Sequence, residues 1–206
     1  MDEIRSGYLR VSEILSRLRD RTQINQLVLQ DKADIGTEVH HNIHMHCLDI
    51  PVEHKMYPVR NPMSGQIYRE ERRGEGYFNS YLKWEDAVKP VYKHQELRLY
   101  DDELMITGQV DAVIDGGVDG TYLLDFKCSY KADEDIWKMQ AHFYWYLLSR
   151  NNLHLSCDPA MCFLQLKKDG LMPEEYHFEF DEDILSQCIM EAQKTWEEKR
   201  SAICVA

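Results

Sequence analysis

The chain has 206 residues, 44% of them hydrophobic and 29% charged, with a net charge of -12, the make-up of a globular protein with enough apolar material for a sizeable core. A charge of that sign excludes a binder that grips nucleic acid through a generic basic surface. No apolar run approaches the roughly 20 residues that span a bilayer, and the opening Met1-Asp2-Glu3-Ile4-Arg5 lacks the basic-then-apolar order of a secretion signal, so the expectation is a cytoplasmic protein with no membrane partner.

Ser12 predicts a helix cap ahead of Ile14, Leu15 and Leu18. A second short helix is expected over Ile24 to Gln30, and a third over Ile35 to Leu48 with Val39, Ile43 and Leu48 on its apolar side. Pro51, Pro58 and Pro62, the turn signals Ser64-Gly65 and Gly74-Glu75-Gly76, and the charged run from Arg69 to Arg73 predict a loop or lid over residues 51–75. Tyr77 to Val88 reads as helix, Pro90 ends it, and Val91 to Tyr100 reads as a strand. Asp101-Asp102-Glu103 then turns the chain into the strand that carries Asp111.

In Tyr122 to Cys128 side chains alternate across the strand. Tyr122, Leu124, Phe126 and Cys128 face a core, and Asp125 and Lys127 share the other side. By the same rule Val110, Ala112 and Ile114 form the apolar set of the preceding strand, which leaves Asp111 free to face the site of Asp125 and Lys127. Asp115 to Gly120 has the glycines and aspartates of a hairpin connection. An aromatic-rich helix from Glu134 to Ser149 follows, then a strand over Ala160 to Leu166, a turn at Lys167 to Gly170, a strand from Tyr176 to Phe180 and a last helix from Asp181 to Arg200. The order implies an α/β fold with a mixed central sheet flanked by helices. One domain is expected, with N-terminal helices over 1–50, the loop or lid at 51–75, an α/β core over 76–180 and a C-terminal helix over 181–206.

Two carboxylates and a lysine on one face of neighbouring strands make a metal site with a cation beside it, an arrangement suited to phosphodiester hydrolysis. With Gly36-Thr37-Glu38-Val39-His40, Glu96, Gly108-Gln109-Val110-Asp111, Asp125-Phe126-Lys127 and Gln140 to Tyr144 in this order, the chain resembles the PD-(D/E)xK nuclease superfamily, in its RecB-like, phage-type exonuclease branch, over about residues 36–166. The resemblance implies a restriction-endonuclease-like core and a metal-dependent deoxyribonuclease, an exonuclease more than an endonuclease, working in recombination, repair or phage replication in a bacterial or phage-infected cell. It implies Asp111, Asp125 and Lys127 as the catalytic residues. Mg2+ or Mn2+ would be held by His40, Asp111, Asp125 and the Phe126 carbonyl, with Glu96 supporting a ligand or a second ion. Gln140 and Tyr144 would contact the substrate, which is single-stranded DNA or DNA ends. A recombination or replication protein is the implied partner, and the oligomeric state is left open.

Other readings of the same residues compete. Asp125 and Lys127 also make a surface ion pair, and Tyr144 also suits core packing. His40 and His44, one helical turn apart, suit zinc, although no H-E-x-x-H follows. The six cysteines contain no C-x-x-C pair, which points to free thiols, and Cys188 and Cys204 stand too far apart for the iron-sulfur cluster that some RecB-like nucleases carry, so none is expected. No G-x-x-x-x-G-K-[ST] motor signature is present. The acid excess lies in the second part of the chain, while Arg60, Arg69, Arg72, Arg73 and Lys83 are candidates to line a substrate path or to form a solvated face. The alternative function is a non-catalytic binding protein on a nuclease fold, or an acidic interaction module.

Overall fold

In the computed structural model, which describes residues 7–19, 25–115, 120–151, 153 and 160–205, the longest pairing joins β4 (Val91–Asp101) to β5 (Ile106–Asp115) in antiparallel register. β5 also pairs antiparallel with β6 (Thr121–Lys127), β6 pairs parallel with β7 (Ala160–Gln165), and β7 pairs antiparallel with β8 (Glu174–Phe178). The two-residue β1 (Leu9–Arg10) runs parallel to the start of β5. Together they form a six-stranded mixed sheet. Parallel neighbours need a long crossover, and α4 (Glu134–Arg150) supplies it between β6 and β7. Residues 116–119 of the expected hairpin connection lie outside the described residues.

Helices cover both faces, as apolar residues at successive strand positions require. On one side α1 (Val11–Ser16), α4 and α5 (Glu182–Val205) pack with Val110, Val113, Leu123, Met161 and Phe163. On the other, α2 (Gln26–Cys47) and α3 (Arg73–Val88) pack with Ala112, Ile114, Leu124, Phe126, Cys162 and Leu164. β6 keeps the expected alternation. β5 does not: Val110 belongs with Val113 and not with Ala112 and Ile114, so the strand changes phase at Asp111.

Several local expectations change. Ser12 lies inside α1, whose capping position is Arg10 without a side-chain bond. The second and third helices are one 22-residue helix, capped where the Leu27 amide donates to Asn25 Oδ1 at 2.9 Å; Asp31-Lys32-Ala33-Asp34 contains nothing that stops a helix, and Ile24 lies outside the described residues. The expected loop at 51–75 contains an antiparallel hairpin, β2 (Tyr57–Arg60) with β3 (Ile67–Glu71). It is tied to α2 by Arg60 Nε donating to Asp31 Oδ2 at 2.7 Å and by the Lys55 amide donating to Glu38 Oε1 at 3.0 Å. Pro58 fits a strand in a two-stranded ribbon, where its missing N–H can face outward. No helix among the described residues is long and apolar enough to cross a membrane.

α3 begins four residues before the expected start and takes in Gly76, where the chain after β7 presses against the helix. A Cβ at Gly76 would stand 1.8 Å from the Lys168 carbonyl oxygen, which is fixed backbone. Gly76→Ala is therefore expected to lower unfolding free energy by about 1–3 kcal/mol through overpacking, read from the midpoint of urea denaturation; an unchanged midpoint would contradict this packing.

Candidate active site

Along the edge of β5 that faces β1 and β6, Ile106 and Thr107 pair with β1 and Ala112 to Asp115 pair with β6. Gly108 to Asp111 are bypassed. Backbone groups in such a gap need partners from side chains. The Phe126 amide finds one by donating to Asp111 Oδ2 at 2.6 Å, and the Gln109 carbonyl oxygen lies 2.8 Å from the Tyr144 hydroxyl. The parting of β5 from β6 thus turns Asp111 into the space between them.

His40, on α2, meets Asp111 there. Its Nδ1 lies 2.9 Å from Asp111 Oδ1 and its Nε2 lies 2.9 Å from the Phe126 carbonyl oxygen. Two acceptors at the two ring nitrogens hold the imidazole doubly protonated. Burial pulls its pKa down, but the carboxylates, Asp111 first and then Asp125 and Glu96, outweigh this and lift it from 6.5 to about 9. Glu96 stands on β4 between Gln95 and Leu97, which pair with Ala112 and Val110 on either side of Asp111. Its φ is 50°, the left-handed region that non-glycine residues avoid and that concentrates at functional sites. Burial and the nearby charge of Asp111 both raise its pKa. One ligand atom from each of His40, Glu96 and Asp111 lies within 4.8 Å of the others.

Asp125 and Lys127 make a second group, on the α4 side. The Lys127 ammonium contacts Asp125 Oδ1 and donates to Gln140 Oε1 at 2.9 Å. Gln140 Nε2 donates to Asp125 Oδ2 at 2.8 Å and to the Tyr144 hydroxyl at 2.6 Å. That hydroxyl is 2.9 Å from Asp125 Oδ2, so its single proton serves either Asp125 or the Gln109 carbonyl. Burial raises the Asp125 pKa against the opposing pull of Lys127, and Asp111 raises it further. Asp125 is 3% exposed, and its Oδ1, although beside the ammonium, receives no well-aligned hydrogen bond among the described residues. This is no solvated surface pair. Tyr144 is both packed in the core and bonded to the carboxylate, so its two readings are one.

The alternation argument therefore holds for Asp125 and Lys127, whereas its premise for Asp111, that Val110 and Ala112 share a face, does not hold. Asp111 gathers with His40 and Glu96, which come from α2 and β4, and Asp125 belongs to no ligand group of 4.8 Å spacing among the described residues. The two carboxylates still feel one another's charge. Among the described residues no group of three or more ligand atoms contains both His40 and His44; His44 Nδ1 lies 2.9 Å from Gln95 Oε1. Arg60, Arg69 and Arg73 serve the hairpin, where Arg60 holds Asp31, Arg69 pairs with Glu71, and Arg73 donates to the Pro58 carbonyl.

The arginines nearer the site are Arg10 and Arg98. With Thr107, Gly108, Gln109, Gln140 and Tyr144 they line a cleft of about 210 Å3 over the gap in β5. Arg98 contacts Gln109, which in turn donates to Glu96. Gln109 belongs to the Gly-Gln-Val-Asp segment singled out in the sequence, and the hairpin register brings Arg98 opposite it. On the far side a cavity of about 10 Å3 touches Glu96, Asp111 and the Phe126 segment, room for a water-sized species. Carboxylate oxygens, one imidazole, a carbonyl close by and a buried carboxylate oxygen lacking a hydrogen bond suit a hard divalent cation such as Mg2+ or Mn2+.

No family model matches the chain, and no curated protein matches it. Among solved structures it is similar to the crystal structure of SSO0001, at 14% identity and a TM-score of 0.42, covering 97% of this chain and 80% of that one. It is also similar to the crystal structure of LHK-Exo in complex with dAMP, at 12% identity and a TM-score of 0.47, covering 97% of this chain and 95% of that one. At these values the reading of the site rests on its own geometry.

Because the folded pKa of His40 lies above its ordinary 6.5, the stability its charge contributes is complete below about pH 6.5 and is lost as the pH rises through about 9. Metal-free protein is expected to lose more stability across that window than His40→Gln, in denaturation curves recorded at several pH values. Parallel curves for the two proteins would show that the imidazole is not held charged.

Proposed function

We propose that the chain is a metal-dependent DNA nuclease, built as a single nuclease domain of the PD-(D/E)xK type, that acts as an exonuclease on single strands or DNA ends in recombination, repair or phage replication. The observation that carries it is the meeting of the His40, Glu96 and Asp111 ligand atoms within 4.8 Å beside the buried Asp125 and Lys127 pair. His40, once its imidazole gives up a proton, Asp111 and the Phe126 carbonyl would hold Mg2+ or Mn2+, with Asp125, whose Oδ1 is paired with Lys127, and Glu96 as further ligands. The bound cation would supply polarisation of the phosphoryl oxygen and a more acidic water.

The remaining chemistry belongs to side chains. Lys127 orients the attacking water and offsets charge that builds on the phosphate in the transition state. Gln140 holds that ammonium and Asp125 in fixed relation, since it bonds both, and Tyr144 locks Gln140. Arg10 and Arg98 offer cationic walls to a sugar-phosphate chain in the cleft of about 210 Å3. The acidic surface elsewhere repels bulk DNA, which supports the restriction to ends, or to DNA delivered by a recombination or replication protein.

Purified protein with Mg2+ or Mn2+ is expected to degrade DNA labelled at the 5′ or the 3′ end, and Asp111→Ala, Asp125→Ala and Lys127→Ala are each expected to lower the rate by about a hundredfold or more. Equal rates in wild type and these variants would refute the proposal. The non-catalytic alternative foresees no stabilisation by Mn2+, so a Tm shift that disappears in Asp111→Ala would count against it.

A further inference from the structure

The far edge of the sheet carries a second set of donors of different chemistry. Cys162 on β7 and His177 on β8 are directly opposed in the antiparallel register, and Glu175 precedes His177 by two positions. Period-two alternation puts all three side chains on one face, within mutual reach as cross-strand and diagonal neighbours. The Cys162 sulfur, a Glu175 carboxylate oxygen and a His177 ring nitrogen lie within 4.8 Å of one another.

The set is graded from inside to outside. Cys162 is 3% exposed and forms the floor, while the side chains of His177 and Glu175 are 54% and 41% exposed and form the rim. The rim is not loose. Trp84, a buried residue of α3, donates its indole N–H to Glu175 Oε1 at 2.8 Å. Glu175 Oε2 stands 3.2 Å from His177 Nε2, and the His177 ring packs edge-on to Tyr122 at 6.3 Å. A donor that fixes a ligating carboxylate from behind is the kind of outer support that tunes metal affinity.

We propose that Cys162, Glu175 and His177 form a binding site for Zn2+, with a fourth position open to solvent. One sulfur, one nitrogen and one oxygen are the donor types zinc accepts in a tetrahedral arrangement, and a thiolate disfavours Mg2+ or Ca2+. Binding replaces the Cys162 S–H bond with a sulfur–zinc bond and releases one proton to solvent. The thiolate and the carboxylate then balance the two charges of the ion, and no oxidation state changes. The ion would pin the outermost strand to β7 and, through Glu175 and Trp84, to α3. Its donors lie on β7 and β8, whereas those of the proposed nuclease site lie on α2, β4, β5 and β6, so the inference does not depend on that reading.

The test is a titration of chelator-treated full-length Asp111→Ala protein, in which the other donor set is disabled, with Co2+ as the spectroscopic probe and Zn2+ as competitor. The expected result is one equivalent of Co2+ with thiolate-to-cobalt charge-transfer absorbance, displaced by Zn2+. Adding Cys162→Ser should abolish the band. His177→Ala, an exposed position that folding tolerates, should weaken zinc at least about tenfold, and Trp84→Phe, which keeps an aromatic ring but no donor, about tenfold. Absence of the thiolate band, or zinc affinity unchanged in both Cys162→Ser and His177→Ala, would overturn the site. Either failure leaves Mn2+-dependent cleavage and its loss in Asp111→Ala as a separate result.

Discussion

The hydrogen bond from the Phe126 amide to the Asp111 carboxylate is where fold and chemistry become one problem. The two strands stop pairing after Ala112 and Leu124, so the next amide of β6 in need of an acceptor takes a side chain in place of a main-chain carbonyl. A buried amide without an acceptor costs about 1–3 kcal/mol, and the carboxylate removes that cost while presenting its second oxygen to His40. The separation of the strands leaves room for the cleft, and the carboxylate makes the separation tolerable.

Around that bond three carboxyl groups are crowded together. His40 and Lys127 lie among Asp111, Glu96 and Asp125, and the carboxyl pKa values of Glu96 and Asp125 are raised by burial and by the Asp111 charge. Crowded carboxylates behave this way because each disfavours ionisation of the next. The backbone strain at Glu96 belongs to the same account: a strand residue held at φ 50° costs of order 1–3 kcal/mol, and here it brings a third carboxyl group within ligand distance of Asp111.

Much of this was readable from residue order, and the failures have physical causes. Alternation in β6 predicted that Leu124 and Phe126 enter the core and that Asp125 and Lys127 lie together, because that strand keeps a regular pleat. It missed the change of phase in β5 because Val110, Ala112, Val113 and Ile114 are all apolar and divide between the two cores, so no polar signal marks which face each takes. The helices expected over Ile24 to Gln30 and over Ile35 to Leu48 join because the intervening polar residues can face solvent or an arginine such as Arg60 without ending the helix. The hairpin hidden in 51–75 has β3 residues that are largely exposed, so it lacks the hydrophobic rhythm by which strands are recognised. Arg98 and Gln109 were invisible as a pair until the register of the β4–β5 hairpin was known.

The unbroken α2 sets a rule about length. Each residue turns an α-helix by about 100°, and the imidazole at position 40 sits on a rod fixed upstream by the Asn25 cap and braced along its flank by the Asp31 and Glu38 contacts to the ribbon. An insertion or deletion of one amino acid between the cap and the imidazole would swing the ring to another azimuth, while the same change at the exposed tip of the ribbon would leave it in place.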